Sequence, residues 1–173
     1  MRSQKGFSLI ELLIVVAIIL IIAAIAIPSL LQARLAANEA SAVGSVSAMR
    51  SAEVAYFNTY PTIGYAGLIG DLGGPAPCVP TPVTACLIDN FLATATPGSG
   101  GKSGYVFLST GIITGGAAYN TAYVTGAAPV IVHQSGNRDF CSTNDGVLRS
   151  QMGSVGDLPV NSLAACDAFP VSQ

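Results

Sequence analysis

The sequence predicts an α+β protein: a long N-terminal α-helix, transmembrane in its first half and amphipathic in its second, packed on a small antiparallel β-sheet. Three observations predict this. Leu12–Ile27 is an unbroken apolar run. Residues 29–58 are rich in alanine, hold no proline and have only Gly44 as a breaker. After Tyr60 the proline, glycine and threonine content rises, and short alternating segments separated by turn signals follow.

Composition excludes several classes. Only 9% of the 173 residues are charged and the net charge is −2, so no nucleic-acid surface is expected. The four cysteines, Cys78, Cys86, Cys141 and Cys166, lack zinc spacing, and His133 is the single histidine. Two disulfides in an oxidising compartment are the better reading, which implies export.

The first element begins after a short basic segment, Met1–Gly6, with Arg2 and Lys5. From Phe7 to Leu31 the chain is long enough, at about 1.5 Å per residue, to cross a bilayer core of roughly 30 Å. The basic start is expected on the cytoplasmic side. A conventional signal peptide cut near Ala24-Ile25-Ala26 is disfavoured, because Glu11 interrupts the apolar region and a helical pattern follows it. A plain single-pass anchor leaves Glu11 unexplained. A carboxylate at the bilayer centre costs about 2.5–3.5 kcal/mol. At a helix N-terminus the cost falls.

Lys5-Gly6-Phe7-Ser8-Leu9-Ile10-Glu11-Leu12-Leu13-Ile14-Val15-Val16 resembles the signal of type IV pilins and pseudopilins. The resemblance covers about twenty-five residues. It implies cleavage by a prepilin peptidase between Gly6 and Phe7, and N-methylation of Phe7. It implies that Glu11 pairs with the Phe7 terminus of a neighbouring subunit, and that Pro28 bends the helix. The implied organisation is a leader at 1–6, a transmembrane and assembly helix at 7–28, an amphipathic helix at 29–60 and a globular region at 61–173. The implied partners are other pilin subunits in a homopolymer, the prepilin peptidase and the inner-membrane assembly machinery. The implied location is the inner membrane before assembly and an extracellular filament after it.

Beyond Pro28, a helical wheel separates two faces. Leu31, Leu35, Ala42, Val43, Val46, Met49, Val54 and Phe57 are expected to pack on the sheet. Ala37, Ala40, Ser41, Gly44, Ser45, Ala48, Ser51, Ala52 and Ala55 form a small-residue face suited to close helix packing in a filament core. Arg34, Glu39, Arg50 and Glu53 are read as surface or inter-subunit charges.

Residues 61–103 read as loop with a helical turn at 87–92. Strands are expected at 104–110, 121–125, 130–133, 138–142 and 147–150, with Thr143-Asn144-Asp145-Gly146 as a tight turn. Four cysteines allow three connectivities. The favoured one joins Cys78 to Cys86 around a Pro-rich loop and Cys141 to Cys166 across the tail, the others remaining open.

Enzymatic chemistry is not expected. His133 has no nucleophile or acid arranged around it, and Gly98–Ser103 fails the spacing of a phosphate loop. Asp139, Asn144, Asp145 and Asp157 bring calcium to mind, but they lack EF-hand spacing, and turn chemistry explains Asn144 and Asp145. No cofactor or metal is expected. The reading is a structural subunit of a type IV pilus, serving adhesion, motility or DNA uptake. The alternative is a type II secretion pseudopilin; pseudopilins of that kind often lack cysteines, and this chain has four.

Overall fold

A computed structural model describes residues 6–172. Residues 1–5, and with them most of the expected leader, lie outside the described residues. The chain divides into two compact units, Met1–Arg34 and Leu35–Gln173.

Helix α1 is Leu9–Thr59 and is continuous across Pro28. Within the first unit its apolar side chains are exposed, apart from half-buried Ala23. The helix is long and apolar enough to cross a membrane by length and composition.

The second unit holds the rest of α1, the short helices α2 (Ile69–Leu72), α3 (Asn90–Ala93) and α4 (Leu163–Asp167), and four strands. These are β1 (Tyr105–Ile112), β2 (Ala122–Pro129), β3 (Arg138–Thr143) and β4 (Leu148–Met152), an antiparallel meander in the order β1-β2-β3-β4. Strand alternation sorts the side chains by face. Tyr105, Phe107, Ala127 and Phe140 meet Ala42, Val46 and Met49 of α1. Val124 and Cys141 look the other way, onto Cys166 and Phe169 of the tail. β2 is therefore buried along its whole length. Each large side chain in these layers contributes about 1.5–3 kcal/mol through burial. The tail crosses β2 where the strand carries glycine: a Cβ at Gly126 would lie 2.7 Å from the Val160 backbone. A third cluster, Ala52, Tyr56, Ala66, Leu72 and Ala85, closes the far end of α1, where the Tyr56 hydroxyl donates to the Pro82 carbonyl at 2.6 Å.

Three expectations are corrected. Residues 130–133 form no strand. β2 ends at Pro129, which pairs with Tyr105 at the start of β1, so no strand partner remains beyond it. The chain turns instead, with the Gln134 and Ser135 N–H groups both donating to the Ile131 carbonyl. The helical turn near residue 90 is Asn90–Ala93, capped by Asp89 accepting from the Leu92 N–H. The buried face of α1 is Glu39, Ala42, Ser45, Val46, Met49, Ala52, Glu53 and Tyr56. Ser45 and Ala52 thus belong to the packing face, whereas Val54 is 49% exposed. Residues seven apart share a helix face, so the core positions 42, 49 and 56 set the phase, and 39, 46 and 53 follow beside them.

The turn expected before β4 is present. The Gly146 N–H donates to the Thr143 carbonyl at 2.9 Å, and Gly146 supplies a left-handed φ of 73°.

Candidate assembly site

The candidate site lies at the start of α1. Phe7 is 83% exposed. The Ser8 backbone N–H donates to Glu11 Oε2 at 3.0 Å, and the Leu12 N–H donates to the Ser8 carbonyl. Ser8 therefore sits at the N-cap and Glu11 at the third helical position, where a carboxylate can satisfy an orphan N–H and meet the positive end of the helix dipole. The Ser-x-x-Glu spacing announces this contact, and the sequence reading passed over it. No lysine or arginine lies between Phe7 and Arg34. The Glu11 carboxylate thus has a local donor but no side-chain cation of its own segment. A Cβ added at Gly6 meets nothing within 4 Å, so the fold places no steric demand on glycine there.

The second unit holds α1 by two carboxylates. Glu39 Oε1 accepts the Asn137 N–H at 2.9 Å, while its Oε2 accepts Arg138 Nε at 2.9 Å and Nη2 at 2.8 Å. Glu53 is fully buried, with Oε2 accepting the Ala66 N–H at 2.9 Å and Oε1 the Ser109 hydroxyl at 2.6 Å. Burial pushes its pKa up to about 7, against the two hydrogen bonds that favour the anion. These two glutamates are clasps inside this chain, which corrects their reading as surface charges. Their signal was available, since both fall on the face marked by Ala42, Val46, Met49 and Tyr56.

The small-residue face narrows accordingly. Ala37, Ala40, Gly44, Ala48 and Ser51 remain exposed along α1. A Cβ at Gly44 meets no atom outside its own helix within 4 Å, although glycine in a helix interior costs about 0.5–1 kcal/mol relative to alanine.

Cys78 pairs with Cys86, their Cα atoms 6.0 Å apart. Cys141 of β3 pairs with Cys166 of α4, Cα atoms 5.8 Å apart, inside the tail-side core. Asp145 is filled by its own turn and by Arg149. The Arg149 guanidinium at 2.6 Å, helped by the Val147 N–H and the Thr143 hydroxyl, holds its pKa down to about 2. Asp139 is buried on β3 opposite Gln151 of β4, and Asp157 accepts the Ser154 N–H in the turn after β4. His133 lies in the turn after β2, its Nδ1 3.0 Å from Asn137 Oδ1. Among the described residues, no three His, Cys, Asp or Glu side chains are grouped to hold a metal.

An apolar helix of membrane-spanning length with one carboxylate at its start thus runs into an α+β unit with a disulfide-tied tail. The family described as "Prokaryotic N-terminal methylation motif" matches residues 1–27. The "Type IV wide pilus major component PilA4" of Thermus thermophilus is 67% identical over 39 residues, 22% of this chain and 30% of that protein. A "Fimbrial protein" of Pseudomonas aeruginosa is 54% identical over 52 residues, 30% of this chain and 34% of that protein. The chain thus spans about a third of the length of the curated relatives it matches. No solved structure matches it. The motif and the relatives support the type IV pilin family for this chain.

Proposed function

We propose that the chain is a structural subunit of a type IV pilus. It is made as a precursor with residues 1–6 as leader, cut by a prepilin peptidase between Gly6 and Phe7 and N-methylated on Phe7. The apolar helix holds it in the inner membrane, N-terminus cytoplasmic, until the assembly machinery adds it to an extracellular homopolymer.

The observation that carries this reading is an exposed apolar helix with one carboxylate at its start. Such a surface needs either lipid or other apolar helices around it. At the headgroup level Glu11 remains solvated. Inside a bundle of apolar helices it needs a cation, since an unpaired buried charge costs several kcal/mol. The methylated amine of Phe7 on a neighbouring subunit supplies one. The freedom of the fold at Gly6 supports a demand from outside it, the specificity of a peptidase.

Adhesion, surface motility and DNA uptake are the uses open to such a filament. The relatives, a pilus component and a fimbrial protein, favour a pilus over a type II secretion pseudopilus. Electron microscopy of sheared surface filaments, with intact mass and N-terminal sequencing of their subunit, tests the reading. The expected subunit begins at Phe7 and carries one methyl group. Losing Arg2 and Lys5 leaves five basic side chains against nine acidic. A mature terminus at Ile27 would overturn the reading in favour of a conventional signal peptide.

A further inference from the structure

One end of the four-stranded sheet is marked by the pairs Tyr105–Pro129 and Arg138–Met152. It is the end at which α1 enters the second unit. There the Asn38 amide donates to the Ser135 carbonyl at 2.9 Å, the Ser41 hydroxyl donates to that of Ser103 at 3.0 Å, and Glu39 holds Asn137 and Arg138. Large apolar side chains stand exposed at this end. Val130 and Ile131 lie in the turn after β2, Met152 closes β4, and Val155 and Leu158 lie in the segment that follows, Val155 being 92% exposed. The two stretches adjoin. The Gly153 N–H donates to the Asn137 carbonyl at 2.9 Å, and Val130 and Leu158 line one open hollow with Pro97 and Pro129.

The backbone of the turn is closed on itself. The Ile131 N–H donates to Ser135 Oγ at 3.0 Å, the Ile131 carbonyl accepts the Gln134 and Ser135 N–H groups, and the Val130 N–H donates to the Gly104 carbonyl. A segment whose polar groups are met internally can enter an apolar boundary without leaving them unsatisfied. The charges at this end are met as well: Arg138 is bound to Glu39 and Lys102 to Asp89, while Asp157 accepts the Ser154 N–H. The chain itself supplies the partner. Asn38 follows Leu31, the end of the apolar run, within at most about 25 Å of chain whatever its path. A bilayer spanned by that run is within reach of this end of the unit. The opposite end, where the Tyr56 hydroxyl meets the Pro82 carbonyl, lies about 25 Å further along α1 from Glu39.

We propose that this end of the globular unit is a membrane-resting surface, with Val130, Ile131, Met152, Val155 and Leu158 settled into the headgroup boundary of the bilayer that anchors the chain. The inference rests on the membrane-held precursor proposed above. Apolar side chains of an interfacial segment reach about 5–10 Å into that boundary. The contact is apolar rather than ionic, so salt at about 1 M, which screens charges beyond about 3 Å, leaves it in place. It belongs to the membrane-held subunit and is given up on assembly.

The test uses the full chain, one copy per phosphatidylcholine nanodisc, with methyl-labelled Val, Leu, Ile and Met and a lipid carrying a paramagnetic headgroup. The methyl signals of Val130, Ile131, Met152, Val155 and Leu158 should broaden several-fold more than those of Val79 and Val83, which flank Pro82 and are also exposed. Ile19, in the apolar half of α1, reports the anchor. Replacing two exposed side chains together, Ile131→Ser and Leu158→Ser, should cut the broadening of Met152 and Val155 several-fold, with the buried Val46 and Val124 methyls unshifted and Ile19 unchanged. Val79→Ser with Val83→Ser should leave the pattern as it is. Broadening at Ile19 with none beyond the Val79 level at the five methyls would overturn the surface and leave the anchor standing. An Ile19 signal untouched by the lipid would overturn the anchor and the surface with it. Protection of the five methyls only when several copies share a disc would assign this end to a second copy of the chain, and would overturn the lipid contact.

Discussion

The Ser109 hydroxyl of β1 donates to Glu53 Oε1 of α1 at 2.6 Å, joining residues 56 apart in sequence at a fully buried point. The second carboxylate oxygen is taken by the Ala66 N–H. One side chain thus pins helix, sheet and the loop after the helix. Glu53→Ala leaves a buried hydroxyl and a buried N–H unpaired beside a cavity. It is expected to destabilise the globular unit by about 2–4 kcal/mol. Denaturant unfolding of the full chain in detergent, followed by near-ultraviolet circular dichroism, measures it. A loss below about 1 kcal/mol would count against the clasp.

The same residue gives a pH prediction. Its folded pKa, about 7, stands above the ordinary 4.5, so the folded state holds the proton more tightly than the unfolded chain. The associated stability is present in full below about pH 4.5 and is lost as pH rises through 7. Glu53→Gln stays neutral throughout and should flatten this slope. Comparing the two proteins at pH 5 and pH 8 checks the sign, and a wild type that gains stability relative to Glu53→Gln over that interval contradicts it.

Glu11 separates a capping role from an inter-subunit role. Its bond to the Ser8 N–H stabilises the first helical turn by about 0.3–1 kcal/mol. If that were its whole part, Glu11→Ala would still polymerise at near-normal levels. The expected outcome is normal subunit level in the inner membrane with filaments abolished or severely reduced. Counting filaments by microscopy beside membrane immunoblots distinguishes the two.

Gly44 has no neighbour that requires glycine. Gly44→Ala is therefore expected to stabilise the isolated chain by about 0.5–1 kcal/mol while lowering filament yield. The loss of yield would come from the approach of another helix to this stripe. Filaments at wild-type yield from the stabilised variant would show that the stripe is only a solvated surface.

The two disulfides differ in loop length. Replacing Cys141 and Cys166 together by alanine opens a separation of 25 residues and should cost about 3–4 kcal/mol in the chain-entropy account. Replacing Cys78 and Cys86 opens a separation of 8 and should cost about 2–3 kcal/mol. Thermal unfolding of the two variants should show the larger drop for the first. Equal drops would indicate that local packing, not loop closure, governs both.

The sequence by itself determined the long helix, its apolar first half, the Glu11 position and the turn at Thr143–Gly146. Each of these rests on local chemistry: hydrophobic length, alanine content, a carboxylate at a helix start, an Asp-Gly pair. It also located three of the four strands to within a residue or two, because period-two alternation is local. Only the tertiary structure decided which side of α1 meets the sheet. Glu39 and Glu53 look like surface residues by type, and they become core residues because Asn137, Arg138, Ala66 and Ser109 bring donors to them from far along the chain. Only it decided that Val130–His133 leaves the sheet despite three β-branched side chains, since a strand requires a partner and β1 begins opposite Pro129. Only it buried Asp139 with one carboxylate oxygen lacking a hydrogen-bond partner among the described residues, for no local pattern in a sequence says which acceptor will be buried away from every donor.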